Sequence, residues 1–466
     1  MAESSERRYS MRKIIIIGGG PAGYTAAIEA ARFHAEVILI EQDKVGGTCL
    51  QRGCIPTKAL LEDAHILTKA AVLLDTPQLN YSVTRLFEKK DRLVAQLTKG
   101  IEDLLSAHKI TLIHDEAVLV NRSTVHLKQH KLEIEADDII LATGSETRSI
   151  PLDCEQPEKC WSSDDVLSTP LEPGKKLLII GGGVIGVELA CMLSQLGHSL
   201  TISEKEGRIL PAVERELAQS LTMDLKKMGI RVITGNEIGK IRFDNDTAEV
   251  QLSKTNEDVE TFDRVIVAVG RKAASEKLDL DKVGVKTDHG FIQVDSHFET
   301  SVPSIYAIGD VNGSVQLAHV AASQAKQLIA YLFEAINPES ILIPYGIYTP
   351  IQIAYAGLNE EEVKAKQIPY QVSKFLMSSM AKQKIKADAR SFIKIITDGS
   401  HHILGISLYC SEATELLSFF VLMMVNQISV DDAQQLVFPH PTLSEAIGEV
   451  LENLNGKAVH AAPKVR

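Results

Sequence analysis

Residues Lys13–Glu41 read KIIIIGGGPAGYTAAIEAARFHAEVILIE, and residues Lys176–Glu204 read KLLIIGGGVIGVELACMLSQLGHSLTISE. Each stretch is an apolar run, a glycine loop, a helical pattern, a second apolar run and a terminal acid. Gly18, Gly20 and Gly23 of the first stretch recur as Gly181, Gly183 and Gly186 of the second. Glu41 recurs as Glu204, and all four positions share one offset of 163 residues. A lone glycine fingerprint is weak evidence. Two in strand–turn–helix–strand context, each with an acid at the same distance, are strong. The first glycine permits a tight turn. The second removes a side chain so that a pyrophosphate can approach the backbone. The third lets helix and strand pack closely. The helix that follows offers free N–H groups and its positive dipole end to the phosphates. The acid accepts hydrogen bonds from a ribose diol. Two ordinary glycine turns would not repeat in this way. The fold expected is α/β, with two Rossmann-like dinucleotide-binding units.

Glu204 would repel a 2′-phosphate, so the second nucleotide is expected to be NAD rather than NADP. No arginine cluster follows it directly, although Arg208 lies four residues on. Two more apolar runs end in glycine, DIILATG at Asp138–Gly144 and RVIVAVG at Arg264–Gly270, and a third, SIYAIGD at Ser304–Asp310, ends in Gly309-Asp310. The first two could each close one nucleotide unit. Asp310 could bond a polyol chain, or it could simply cap a helix.

Residues Gly46–Lys58 read GGTCLQRGCIPTK. Cys49 and Cys54 are spaced so that their sulfurs can meet where the chain bends into a helix, with Pro56 suited to its first turn. A helix N-terminus favours the thiolate that thiol–disulfide exchange needs. Zinc would need further ligands at matching spacing, and no second pair of that form exists, so no metal is expected. The dithiol begins eight residues after Glu41. A dithiol exchanges electrons with a flavin and has no direct chemistry with nicotinamide. The first site is therefore expected to hold FAD and the second NAD.

The bulk properties agree with a folded enzyme of several domains. The chain has 466 residues, 45% of them hydrophobic, and a formal net charge of -12. That acidity disfavours nucleic acid and anionic membranes as partners. The opening MAESSERRYS has no apolar core of a secretory signal, so a cytoplasmic location is expected. The apolar stretch Leu416–Val425 is too short to span a bilayer and reads as a buried helix. Six cysteines are too few for a disulfide framework, and Cys154, Cys160, Cys191 and Cys410 read as structural or incidental thiols.

The run from Gly46 to Lys58 resembles the active-site signature of the class I pyridine nucleotide–disulfide oxidoreductases. Within them the chain looks most like the enzymes that oxidise dihydrolipoamide. The resemblance extends from about Met11 to about Leu454 and includes both fingerprints, ATG, AVGR, YAIGD, LAH at Leu317–His319 and HPTLSE at His440–Glu445. It implies that Cys49 is the interchange thiol and Cys54 the thiol against the flavin. His440 would be the acid–base histidine, supplied by the other subunit of a homodimer, and Glu445 would orient it. Lys58 and Glu188 would pair beside the flavin. Thr48, Lys58, Ala117, Gly144, Asp310 and Ala318 would contact FAD, and Gly270 would contact NAD. The implied partner is a lipoyl-bearing protein of a 2-oxo acid dehydrogenase or glycine cleavage complex.

Read without the family, these residues are less telling. His440 between two prolines would be a loop histidine, Glu445 a first-turn acid behind a cap-like Thr442, and Lys58 a solvated lysine. Gln51-Arg52 replaces the common Asn-Val, Lys272-Ala273-Ala274 the common Pro-Asn after Arg271, and Phe438 a frequent histidine. Asp115 stands where glycine is common near the adenine. Related enzymes with a second redox pair near the C-terminus, a single redox cysteine or an NADP preference fit less well. A redox-silent subunit of a larger complex is the rival of a different class. The division expected is an FAD domain at 11–148, an NAD domain at 149–271, a central segment at 272–341 returning to the flavin, and an α+β dimerisation domain at 342–466.

Overall fold

The computed structural model describes residues 12–76, 80–149, 152–245, 247–255, 258–386 and 390–461. The opening MAESSERRYS, read above for a secretory signal, lies outside them.

The strand Lys13–Ile17 is almost wholly buried and sits at the centre of a parallel sheet. The sheet order is Ile305–Ala307, Asp138–Leu141, Lys13–Ile17, Glu36–Glu41, Thr111–His114. Continuous apolar runs belong in such strands, because crossover helices cover both faces of a parallel sheet. The second copy builds a four-stranded parallel sheet in the order Arg231–Ile233, Ser199–Ser203, Lys176–Ile180, Arg264–Val267. The duplication holds down to register: Ile14 faces Val37 across the first pair, and Leu177 faces Leu200 across the second. In both copies the glycine loop leads straight into a helix, Pro21–Arg32 and Val184–Gln195.

The strand Ile305–Ala307 completes the first sheet from far along the chain, pairing with Asp138–Leu141. It delivers Gly309 and Asp310 to the same sheet end as Gly18 and Ala142. Residues 345–410 form a five-stranded antiparallel sheet, Tyr345–Ile347, Gln352–Gly357, Ile403–Cys410, Phe392–Thr397 and Gln371–Leu376 in spatial order. Alternation sorts the strand Phe392–Thr397. Ile393 and Ile395 pack into the core under the helices Ala413–Val425 and Glu445–Leu454. Phe392 and Lys394 face the helix Arg215–Lys227 of the second nucleotide unit.

That second contact is polar. Lys394 is 3% exposed and pairs with Glu214 and, at 2.9 Å, with Glu216. Ser407 donates to Glu214 at 2.7 Å and the Tyr409 hydroxyl to Asp224 at 2.7 Å. A buried lysine is tolerated only when carboxylates surround it. The stretch Leu416–Val425 is the helix expected, with Leu416, Leu417, Phe420 and Met423 inward and Leu422 and Val425 exposed. Among the described residues no helix is long and apolar enough to cross a membrane.

Candidate active site

The dithiol sits on a broken helix. A short helix, Gly47–Arg52, carries Cys49, and the chain turns at Gly53 into a helix of 20 residues that begins at Cys54. Glycine is required at the break, since a Cβ at Gly53 would lie 2.8 Å from the Thr48 carbonyl oxygen. Both cysteines are free thiols, Cys54 exposed and Cys49 half-buried, and their side chains hydrogen-bond to each other. The hydrogen bond from Cys49 and the charge of Lys58 lower the Cys54 thiol to about 7. The same contact, together with burial, raises Cys49. The pair is thus asymmetric: Cys54, at the helix N-terminus, gives up its proton before Cys49.

Lys58 lies one turn along from Cys54. Its ammonium is 2.7 Å from Glu188 Oε2, and Glu188 is 4% exposed. Glu188 Oε1 accepts the backbone N–H of Tyr348 at 2.9 Å, and the Lys58 ammonium stands 4.7 Å from the Tyr348 ring centroid. The long helix, the second nucleotide unit and the antiparallel sheet region meet at this one ion pair. Sequence reasoning named Lys58 and Glu188 but had no signal for Tyr348.

Two unlooked-for anchors hold the dithiol loop. Gln51 donates to Val45 O at 2.7 Å and to Thr98 Oγ1 at 2.8 Å, and Arg52 pairs with Asp43. The departures at these two positions therefore have local work to do. Arg271 donates to Ser145 Oγ at 2.7 Å, to Ser145 O at 2.5 Å and to Thr48 Oγ1 at 3.3 Å. Ser145 Oγ in turn donates to Asp310 at 2.5 Å. Asp310 lies in the short helix Gly309–Asn312, whose cap is Ile308, so the capping alternative is set aside.

The glycines show what the two loops are shaped for. A Cβ at Gly18 or Gly181 would lie 2.4 or 2.3 Å from the carbonyl oxygen of Ala142 or Ala268. At Gly23 or Gly186 it would lie 1.7 or 2.0 Å from the carbonyl oxygen of Gly18 or Gly181. At Gly183 it would meet nothing within 4 Å, and at Gly20 only Gly47 at 3.8 Å. The first and third glycines are small because protein touches them. The second faces open space, where a pyrophosphate would lie. Gly144 and Gly270 likewise face open space at positive φ, and Ala318 opens the helix Ala318–Glu334 with its N–H free of intrahelical partners. Glu41 and Glu204 are fixed alike: each accepts an N–H of its own loop, Gly19 at 2.7 Å and Gly182 at 2.6 Å, and another two residues on. The remaining acceptor capacity fits a ribose diol in both copies. Arg208 donates to Pro211 O and Val213 O and so is tied into its own loop.

Near the first loop, Ala117 opens a buried strand, and Asp115 is 1% exposed. Burial opposes its ionisation. The N–H groups of Gln129 and His130 and the His130 ring outweigh it and hold the carboxyl at about 2.

His440 Nδ1 lies 2.8 Å from Glu445 Oε1, and Glu445 Oε2 accepts the Thr442 N–H at 2.8 Å. The helix cap is Ser444, not Thr442, which instead steadies the carboxylate. This pair sits at the start of the helix Glu445–Leu454, which packs on the antiparallel sheet. Among the described residues no hydrogen bond joins it to Cys49 or Cys54 of the same chain. Of the remaining cysteines, Cys191 is buried, and Cys160 is pushed up to about 12 by burial and by contact with Cys154. Among the described residues no group of acidic, histidine and cysteine side chains could hold a metal.

The family model for pyridine nucleotide-disulphide oxidoreductases matches residues 12–325, and that for their dimerisation domain matches residues 343–451. A dihydrolipoyl dehydrogenase of Bacillus subtilis is 34% identical over 464 residues, covering 96% of this chain and all of the relative. One from Chlamydia pneumoniae is 34% identical, covering 97% and 98%. Among solved structures, the HOCl-induced flavoprotein disulfide reductase RclA from Escherichia coli aligns with a TM-score of 0.87 at 26% identity, over 94% of this chain and 99% of that one. LpdA from Mycobacterium tuberculosis shares the fold, with a TM-score of 0.88 at 22% identity over 95% and 99%. A lowered thiol at a helix start beside a lysine paired with a buried glutamate, two loops open at their second glycine and matches along nearly the whole length have one common account: the chain is an enzyme of the pyridine nucleotide-disulphide oxidoreductase family, which works with FAD and NAD.

Proposed function

We propose that the enzyme oxidises protein-bound dihydrolipoamide to lipoamide and delivers the electrons to NAD. The observation that carries this reading is the asymmetric dithiol, with Cys54 lowered to about 7 beside Lys58. The substrate choice rests on the likeness to dihydrolipoyl dehydrogenases.

In the oxidised enzyme Cys49 and Cys54 share a disulfide. A substrate thiol, deprotonated by His440, attacks the Cys49 sulfur. The S–S bond breaks and Cys54 leaves as a thiolate, stabilised by its helix N-terminus and Lys58. The second substrate thiol attacks the mixed disulfide, lipoamide forms and Cys49 departs as a thiol. Bound flavin supplies the electron chemistry that takes the pair from the dithiol and passes it to NAD. Thr48, Lys58, Ala117, Gly144, Asp310 and Ala318, with the first glycine loop and Glu41, would hold FAD. The second loop, Glu204 and Gly270 would hold NAD. Glu445 keeps His440 in one tautomer and stabilises it once protonated.

The working division is 11–148 and 272–341 for the flavin unit, 149–271 for NAD and 342–466 for dimerisation. In a homodimer, His440 and Glu445 of one chain would serve Cys49 and Cys54 of the other. The lipoyl-bearing partner would belong to a 2-oxo acid dehydrogenase or glycine cleavage complex, and the location would be cytoplasmic. The likeness to RclA favours a second reading, reduction of some other disulfide by a reduced pyridine nucleotide.

Turnover of dihydrolipoamide and of other dithiols, with NAD and with NADP, separates the two. Efficient dihydrolipoamide oxidation with NAD is expected; a preference for NADP or for another disulfide would overturn the assignment. Mixing two dead variants, Cys49→Ser and His440→Gln, tests the shared site. Subunit exchange produces one site with both lesions and one with neither, so part of the activity should return.

A further inference from the structure

On the helix Glu445–Leu454, Glu445 and Glu449 stand one turn apart, and each holds a histidine in the same manner. Glu445 Oε1 is 2.8 Å from His440 Nδ1 while its Oε2 accepts the Thr442 N–H at 2.8 Å. Glu449 Oε1 is 2.7 Å from His460 Nδ1 while its Oε2 accepts the N–H of His460 at 3.0 Å. His440 reaches the helix from the segment before it and His460 from the segment after it. That second segment is anchored. Ser379 Oγ donates to His460 O at 3.0 Å, and Ala461 packs against the apolar cluster beneath the helix. Side chains four apart on a helix are neighbours, about 6 Å between Cβ atoms. The two pairs therefore lie side by side.

We propose that His460 and Glu449 form a second dyad whose charge balance tunes the proton affinity of the His440–Glu445 pair, making His460 a positioning residue for proton transfer. The proposal rests on the reading of His440 as the acid–base group. Its basis is a simple count of charge. Among the described residues, the charged groups facing His460 are Glu449 and Glu445, and those facing Glu445 are His440 and His460. The hydrogen bond and charge of Glu449 raise His460, which therefore keeps its proton to higher pH than a free histidine. A protonated His460 cancels the Glu449 carboxylate, and the His440–Glu445 pair sees little net charge beside it. Without His460, a bare carboxylate would stand one turn away and favour a proton on His440. Without Glu449, His460 loses the group that holds its proton, and above its ordinary range no charge remains. Without both, the balance is again zero. Only loss of His460 alone should shift the pair.

The shift can be sized. A unit charge about 8 Å away in a water-exposed setting moves a titration by roughly half a pH unit. It should shrink at 1 M salt, where the screening length falls to about 3 Å.

The test uses the FAD-loaded enzyme with free dihydrolipoamide and NAD, in wild type, His460→Gln, Glu449→Gln and the double variant. In His460→Gln the limb of the pH–rate profile set by the essential base should move up by roughly half a unit at low salt and by less at 1 M. It should stay in place in Glu449→Gln and in the double variant. The ring C2 proton of His440, followed by NMR with His440→Gln as the assignment control, should show the same pattern. If His460→Gln lowers thermal stability but moves neither titration, His460 only pins the tail and the proposal is wrong. An equal shift in the double variant also overturns it. Full turnover of His440→Gln would instead remove the acid–base reading, while the NMR series still reports whether the two dyads are coupled.

Discussion

An alanine at Gly183 would carry its Cβ into open space, with no heavy atom within 4 Å and a backbone φ of −73° that any residue adopts. The fold should accept it. Glycine is the better N-cap and alanine the stiffer unfolded chain, so the net change is under about 1 kcal/mol. At Gly186 the same methyl would lie 2.0 Å from the Gly181 carbonyl oxygen, and helix and strand would have to move apart. Overpacking of that kind costs about 3 kcal/mol. The nucleotide should feel the two changes in the opposite order. A methyl at Gly183 holds the pyrophosphate off the loop and the helix start, which breaks one or two charge-assisted hydrogen bonds, each worth about 1.5–3 kcal/mol. A loss of about 3 kcal/mol weakens NAD binding roughly a hundredfold. The assays are thermal unfolding of the FAD-loaded protein without NAD, and KM and Kd for NAD. Gly183→Ala should melt within a few degrees of wild type and bind NAD poorly, and Gly186→Ala should melt early. Unchanged NAD affinity in a stable Gly183→Ala enzyme would refute the placement of the pyrophosphate. The first copy offers the same contrast through FAD content in Gly20→Ala and Gly23→Ala.

Other outcomes follow from the charged groups. Because Cys54 is lowered to about 7, alkylation of the reduced enzyme should rise with pH around a midpoint near 7, and Cys54→Ser should lack that step; a first midpoint at an ordinary thiol value would contradict the helix-start thiolate. Lys394→Met leaves Glu214 buried beside Ser407 without its cation, which should cost about 3–5 kcal/mol in denaturant unfolding. Adding Glu214→Gln should recover part of that loss; no recovery would mean the damage is steric. Asp115 is held at about 2 against an ordinary 3.8, so its folded value is depressed and its stabilisation is present above about pH 4 and lost as pH falls toward 2. Asp115→Asn should therefore melt earlier than wild type at neutral pH, with the gap closing on acidification; a gap independent of pH would point to packing alone.

Much of this was legible in the chain. The offset of 163 residues, repeated at four positions, became two sheets in matching register and two carboxylates held by equivalent N–H groups. The cysteine spacing became a broken helix with one thiolate at its start. These features are local. A glycine turn, a strand next to a helix and a cap depend on residues within a few positions of one another, so period and spacing reveal them. Smaller local choices were left open by the sequence: Ser444 rather than Thr442 stands at the cap of the last helix, and Asp310 accepts from Ser145 rather than capping one.

The chain could not reveal what closes around the dithiol. Tyr348 completes the Lys58–Glu188 pair across 160 residues, and Arg271 joins Thr48 to Ser145 across more than a hundred. No local pattern links Lys394 to Glu214 across 180 residues, or His460 to Glu449 where the chain turns back. Local sequence determines which backbone conformations are affordable, and so it determined the two nucleotide loops and the helix-start thiol. Which distant charge ends beside which is decided only when the layers pack, because burial makes an unpaired charge costly and selects the arrangement in which each finds a partner.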